Sequence, residues 1–115
     1  MANEFDSPLG EWRTKIQIDG GSWISHGVMT FSEDGKVGYT LRNGRIFFNE
    51  KDGKGKWKGH WVEDKQPWVV CDEKLDGSTA WGEAIFQFDD EFKTFRGTWD
   101  KCGDGKRNIW QGYRL

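Results

Sequence analysis

The 115 residues predict an all-β fold, an antiparallel meander closed into an eight- or nine-stranded barrel. Three observations carry this expectation. Sixteen Gly but only two Pro occur, and the Gly fall in turn-forming stretches at short intervals. The segments between them are short, rich in β-branched and aromatic residues, and alternate in polarity, the period of a half-buried strand. Finally, Gly recurs between large side chains, in Trp57-Lys58-Gly59-His60-Trp61, Phe95-Arg96-Gly97-Thr98-Trp99 and Trp110-Gln111-Gly112-Tyr113-Arg114. Residues i, i+2 and i+4 of a strand share a face. Each Gly there lets the strand curve and leaves a slot that a ring from a neighbouring strand can fill.

Taken in order, strands are predicted over 10–18, 22–31, 36–42, 45–50, 56–62, 68–73, 80–88, 94–99 and 108–115. In the first, Trp12, Thr14, Ile16 and Ile18 share a face opposite Arg13, Lys15 and Gln17. In the third, Val37, Tyr39 and Leu41 alternate with polar residues and Gly38. Ala80, Gly82 and Ala84 give the seventh a face of small residues that complements the large rings, the mixture a small barrel needs inside. The turns are "IDGGS" (18–22), "EDGK" (33–36), "RNGR" (42–45), "KDGKG" (51–55), "LDGST" (75–79) and "CGDGK" (102–106). Asp-Gly and Asn-Gly favour the positive φ of tight hairpins. An Asn43-Gly44 turn would pair Arg42 with Arg45 and Leu41 with Ile46. Closing the meander removes the exposed edges of a flat sheet. Residues 1–9 read as an N-terminal segment and 10–115 as a single barrel domain.

Apolar residues are only 35% of the chain, but aromatics are 16%, with eight Trp and eight Phe. Each ring buries a large area, so the core can be aromatic where aliphatics are few. Seventeen Lys and Arg against nineteen Asp and Glu give a formal charge of −2, which provides no global field for nucleic acid or an anionic membrane. No apolar run reaches transmembrane length. The opening "MANEFDSPLGEW" lacks the basic end and apolar middle of a secretory signal. A cytoplasmic location is expected, with Cys71 and Cys102 as reduced thiols.

Gly10-Glu11-Trp12 resembles the Gly-x-Trp of lipocalins, and Arg114 in "WQGYRL" stands where that family places an Arg over the Trp. The length and meander are similar to avidin-like barrels, without their biotin-binding pattern. The resemblance is to the calycin group, which holds lipocalins, avidins and fatty-acid-binding proteins. It implies a barrel that holds a small apolar ligand.

Chemistry finds little support. The metal-ligand candidates His26, His60, Cys71 and Cys102 lie far apart, His26 and His60 read as surface residues, and no cofactor is expected. Neither a nucleophile elbow nor a Cys–His pairing is present. Glu83 lies mid-strand; Phe86 and Phe88 share the face of Gly82, so Glu83 is expected outside. The stretch 42–60 interleaves basic residues with Phe47, Phe48, Trp57 and Trp61, as single-strand-binding grooves do, but its rings and lysines point to opposite faces. No nucleic-acid partner and no membrane are expected. Trp23, Trp68 and Trp81 are the candidates for stacking on a sugar. Ile46-Phe47-Phe48 and Trp68-Val69-Val70-Cys71 are apolar on both faces and need a cover. The N-terminal segment around Phe5 and Leu9, a second copy in a homo-oligomer, or a partner could supply it.

The reading is therefore a non-enzymatic barrel binding a small apolar or aromatic ligand, walled by Trp57, Trp61, Phe95, Trp99 and Trp110. The alternatives are a carbohydrate-binding, lectin-like module and a filled barrel acting in protein interaction. Eight strands either just fill with side chains or hold one small ligand, so interior volume separates the first reading from the last.

Overall fold

The computed structural model describes residues 7–64 and 67–115. Its strands are β1 (Gly10–Gln17), β2 (Trp23–Phe31), β3 (Val37–Tyr39), β4 (Gly44–Lys51), β5 (Lys56–Glu63), β6 (Ala80–Phe88), β7 (Thr94–Trp99) and β8 (Asn108–Arg114). All are antiparallel. Each pairs with its sequence neighbour, and β8 returns to β1, closing an eight-stranded barrel. Among the described residues no helix is long and apolar enough to cross a membrane.

Alternation sets the inside of the barrel. Trp12 and Thr14 of β1, Gly82, Ala84, Phe86 and Phe88 of β6, Phe95, Gly97 and Trp99 of β7, and Trp110 and Gly112 of β8 are all buried. Connections 18–22, 40–43, 64–79 and 100–107 gather at one end, here the upper end. Connections 32–36, 52–55 and 89–93 gather at the lower end, where Trp12 lies.

The lower half is packed with rings. Trp12, wholly buried, meets Phe88 at 5.5 Å and Phe95 at 5.6 Å between centroids, and Phe86 stacks on Phe95 at 4.0 Å. Such pairs contribute about 0.5–1.5 kcal/mol each beyond the area they bury. Arg114 closes this end. Its guanidinium sits 4.9 Å from the Trp12 ring centroid. It donates to the carbonyls of Phe92 (2.9 Å), Ser7 (2.6 Å) and Leu9, while the Trp12 indole donates to the Pro8 carbonyl at 2.8 Å. The contact expected between Trp12 and Arg114 is thus present, and it also ties down residues 7–9.

Four expectations need correction. Residues 68–73 form no strand. They belong to the 64–79 connection, in which Val69 and Cys71 are buried while Trp68 and Val70 face out. Their two apolar faces reflect a loop that covers the upper end. Second, Asn43-Gly44 is not a two-residue turn: β3 pairs with β4 through Tyr39–Gly44, Gly38–Arg45 and Val37–Ile46. Positive φ falls instead on Arg42 (50°) and Asn43 (54°), within a 3-10 turn. Gly44 is needed elsewhere, because a Cβ there would strike the Tyr39 ring. Third, Cys71 and Cys102 are joined in a disulfide between the 64–79 and 100–107 connections, not held as reduced thiols. Fourth, His26 is buried, for a reason given below. Elsewhere, Phe47 and Leu9 are exposed, and Phe5 lies outside the described residues.

The recurring Gly do different jobs. The slot at Gly112 is filled by the Phe95 ring of the neighbouring strand, as expected. At Gly59, a Cβ would instead strike the Phe47 carbonyl of β4, beside a bulge between Phe48 and Glu50. Gly112→Ala and Gly59→Ala should therefore each destabilise by about 1–3 kcal/mol in urea unfolding. Gly53→Ala, where a Cβ meets open space, should stay within about 0.5 kcal/mol of the wild type. Trp12→Ala and Arg114→Ala should be non-additive in a double-mutant cycle; effects that add within about 0.5 kcal/mol would show that their contact carries no coupling.

Candidate functional site

The upper interior differs in chemistry from the lower. Isolated Gly within a strand often marks a bulge, and β2 carries one. Thr14 pairs with Gly27 and Lys15 with Ser25, so His26 is skipped, with Gly27 at φ +76°. Simple alternation from Met29 and Phe31 would put His26 outside. The bulge reverses the parity and turns it in, leaving 6% of its surface exposed.

His26 meets two other polar groups there. The Tyr39 hydroxyl donates to Glu63 Oε2 at 2.6 Å, and His26 Nε2 lies 3.5 Å from the same oxygen. Tyr39 reaches Glu63 by lying across β4, over the bare backbone of Gly44. The Glu63 main chain is held in turn by the Ser78 hydroxyl, which donates to its carbonyl at 2.5 Å. Burial, then the neighbouring Glu63 carboxyl, pushes the Tyr39 phenol well above its usual range, so it stays a donor.

Aromatic rings complete the wall. The Trp110 ring is 5.0 Å from His26 and 5.9 Å from Tyr39. Trp99 lies on the adjacent strand, one inward step nearer the mouth, 6.0 Å from Trp61. The Trp61 indole donates to the Asp100 carbonyl at 2.8 Å. By contrast, His26 Nδ1, Trp99 Nε1 and Trp110 Nε1 are buried and have no hydrogen-bond partner among the described residues. Trp110 and Trp99 are only 2% and 6% exposed. An indole N–H can only donate.

The covering loop is fixed at several points. Arg45 bonds Asp64 (3.1 Å) and Asp76 (2.5 Å). Burial alone would lower the Arg45 pKa, but these two carboxylates outweigh it and raise it. The disulfide to Cys102 is a second anchor. A third is the Trp81 indole, which donates to the Glu73 carbonyl at 2.9 Å. Ile24, Leu41, Trp68 and Val70 stand exposed around this end.

Of the five expected wall residues, Trp61 and Trp99 are in ring contact, while Trp110 packs against His26, Tyr39 and Phe86. Phe95 and the half-buried Trp57 belong to the lower aromatic cluster. Glu83 faces outward, 3.8 Å from Arg107. Of the sugar-stacking candidates, Trp68 is 72% exposed and Trp23 is exposed, whereas Trp81 is partly buried beneath the loop. Sequence reasoning missed His26, Tyr39 and Glu63 as a group. The isolated Gly27 was the available signal for the first. For Glu63, one more residue on the fifth strand would have put it on the face of Gly59 and Trp61. No family model matches the chain, and neither a curated protein nor a solved structure matches it.

Tyr39→Phe should destabilise by about 1–3 kcal/mol, because it strips the buried Glu63 carboxyl of a donor. The pH dependence has a definite sign. The folded state retains the Tyr39 proton at a pH where the unfolded chain has lost it. This contribution is complete below about pH 10, the ordinary tyrosine value, and is lost as pH rises through the folded-state value. Urea unfolding at stepped alkaline pH should show wild type losing stability more steeply than Tyr39→Phe; parallel curves would contradict the assignment.

Proposed function

We propose that this chain is a calycin-like barrel that binds a small apolar or aromatic compound, without catalysis, in the upper interior. One observation carries the reading: among the described residues three buried nitrogens at the aromatic upper end lack partners, His26 Nδ1, Trp99 Nε1 and Trp110 Nε1. Leaving a buried polar group unpaired costs about 1–3 kcal/mol, and native interiors hold few such groups without water, ion or ligand to satisfy them. The ligand that answers this set has a flat apolar body to lie against Trp61, Trp99 and Trp110, with an acceptor oxygen at one end for the indole donors. The Cys71–Cys102 disulfide supports an oxidising compartment rather than the cytoplasmic location expected from sequence.

A second reading, the filled barrel acting in protein interaction, is favoured by the ring packing of the lower half. The two separate by experiment. Fluorenone and fluorene share a flat shape but differ by one carbonyl. In a binding barrel, fluorenone should quench Trp fluorescence at lower concentration than fluorene. Trp99→Phe, which removes an N–H and keeps a ring, should cost fluorenone about tenfold, the scale of one hydrogen bond of about 1–1.5 kcal/mol. Trp81→Ala should change binding less. In a filled barrel the wild type responds to neither compound nor to a wider panel of aromatic ketones. Trp99→Ala would then open a cavity, lose about 3–5 kcal/mol of stability and admit an aromatic that the wild type excludes.

A further inference from the structure

The outside of the barrel carries a second feature, on the face of β6, β7, β8 and β1. An open depression of about 850 Å³ lies there, lined by Arg13, Lys15, Arg96, Gln111, Tyr113 and Trp23, among others. These side chains stand in register. Lys15 pairs across to Gln111, Gln111 to Arg96, Arg96 to Gln87 and Gln87 to Lys56. The row therefore alternates cation and amide across five strands. Adjacent strands are about 4.8 Å apart, so successive cations recur roughly every 9–10 Å. One step toward the lower end, Arg13 pairs with Tyr113, and Tyr113 with Thr94.

The cations are not spent on internal pairs. Among the described residues Arg13, Lys15 and Arg96 form no ion pair with a carboxylate, whereas Lys36, Arg45, Lys93, Lys101 and Arg107 do. The one acid among the described residues lining the depression is Asp89. Burial pushes its carboxyl up, but the Lys93 amide and the Thr94 hydroxyl and amide outweigh this and hold it below the usual range. Its oxygens are occupied by those donors, at 2.8 Å from Lys93 N and 2.9 Å from Thr94 Oγ1. Lys15 is steadied over the Trp23 ring at 4.5 Å. A chain with a net charge of −2 thus gathers unpaired positive charge on one face.

We propose that this face binds an anionic carbohydrate, a glycan bearing sulfate esters or uronate groups. The cations would take the acid groups, Gln111 the hydroxyls, and the exposed Tyr113 ring a sugar's C–H face, while the Gln87 amide nitrogen is held by the Lys54 and Phe88 carbonyls at 3.0 and 3.2 Å. The charge spacing is wider than that of nucleic acid, which carries one phosphate on each strand for about every 3.4 Å of helix axis. The supply of rings argues against nucleic acid. Trp23 has one face under Lys15, leaving Tyr113 without the run of stacking platforms that single strands use. This site is separate from the interior one, and either can exist without the other.

The test is calorimetric titration with a heparin-derived hexasaccharide, a neutral dextran hexasaccharide and a single-stranded oligothymidylate. The heparin fragment should bind, with affinity that falls steeply with salt as counterion-releasing contacts do; dextran should not. Arg96→Gln and Lys15→Gln should each weaken binding by about tenfold. Lys36→Gln, in the 32–36 turn at the lower end, and Trp99→Phe, inside the barrel, should leave it unchanged. Because Arg96 and Lys15 are on the surface, their loss should leave the fold intact, and amide chemical-shift mapping on the wild type gives an independent readout. Shifts should concentrate on Lys15, Arg96 and Gln111. No binding of the heparin fragment at low salt would overturn the proposal. So would equal loss in Lys36→Gln, shifts centred on the upper mouth, or tighter binding of oligothymidylate than of the glycan.

Discussion

Everything inside this molecule answers to the fixed bore of an eight-stranded barrel, which side chains can only just fill or leave room for one small ligand. The chain fills most of it with rings, and large rings on adjoining strands collide unless something beside them is small. β6 meets that demand over its first half, with Ala80, Gly82 and Ala84 inward before Phe86 and Phe88. Gly82 also admits the Trp61 indole and the Asp100 carbonyl, and Gly112 receives Phe95. The sparse aliphatic content is therefore no deficit of burial. It follows from a core in which a few large rings, separated by bare backbone, replace many medium-sized side chains.

The same logic explains how the lower end closes. Rings stacked against one another still leave a rim of backbone carbonyls at the base of a barrel, and such acceptors need donors. Arg114 supplies several from one planar group, while its face lies on Trp12. Lysine offers a point charge without that plane, so it could not stack and fork at once. The last strand and the first are thereby joined by both ladder hydrogen bonds and a side chain that also holds residues 7–9.

Legibility in the sequence followed from how local each signal was. Period-two alternation and Gly-bearing turns are local, and seven strands emerged with boundaries close to those observed. The exceptions needed information from elsewhere in the chain. Asn43-Gly44 looks like a hairpin turn until Tyr39 claims the space above Gly44. Trp68 to Cys71 looks like a strand because a loop lying over a barrel mouth must also alternate between core and solvent. The aromatic side of the candidate site was readable from the spacing of Trp61, Trp99 and Trp110. Its polar side was not, since His26 faces inward only through a bulge, and Tyr39 meets Glu63 across an intervening strand.

That polar side is hard to explain by stability alone. A buried carboxyl, imidazole and phenol each lose hydration on folding, and a well-packed apolar replacement of a buried charged or polar set is often neutral or stabilising. The lower half shows that this chain can build such packing from Phe and Trp. At the upper end it instead sets His26, Tyr39 and Glu63 beside the Trp110 ring, whose indole, like that of Trp99, has no acceptor among the described residues, and covers them with a loop held by Arg45 and a disulfide. Groups that cost stability, gathered at one end of the interior, are what the proposed ligand binding would account for. On that account the two halves of the interior answer different demands. The rings below close and hold the barrel, and the polar groups above interrupt that packing at the end the loop covers.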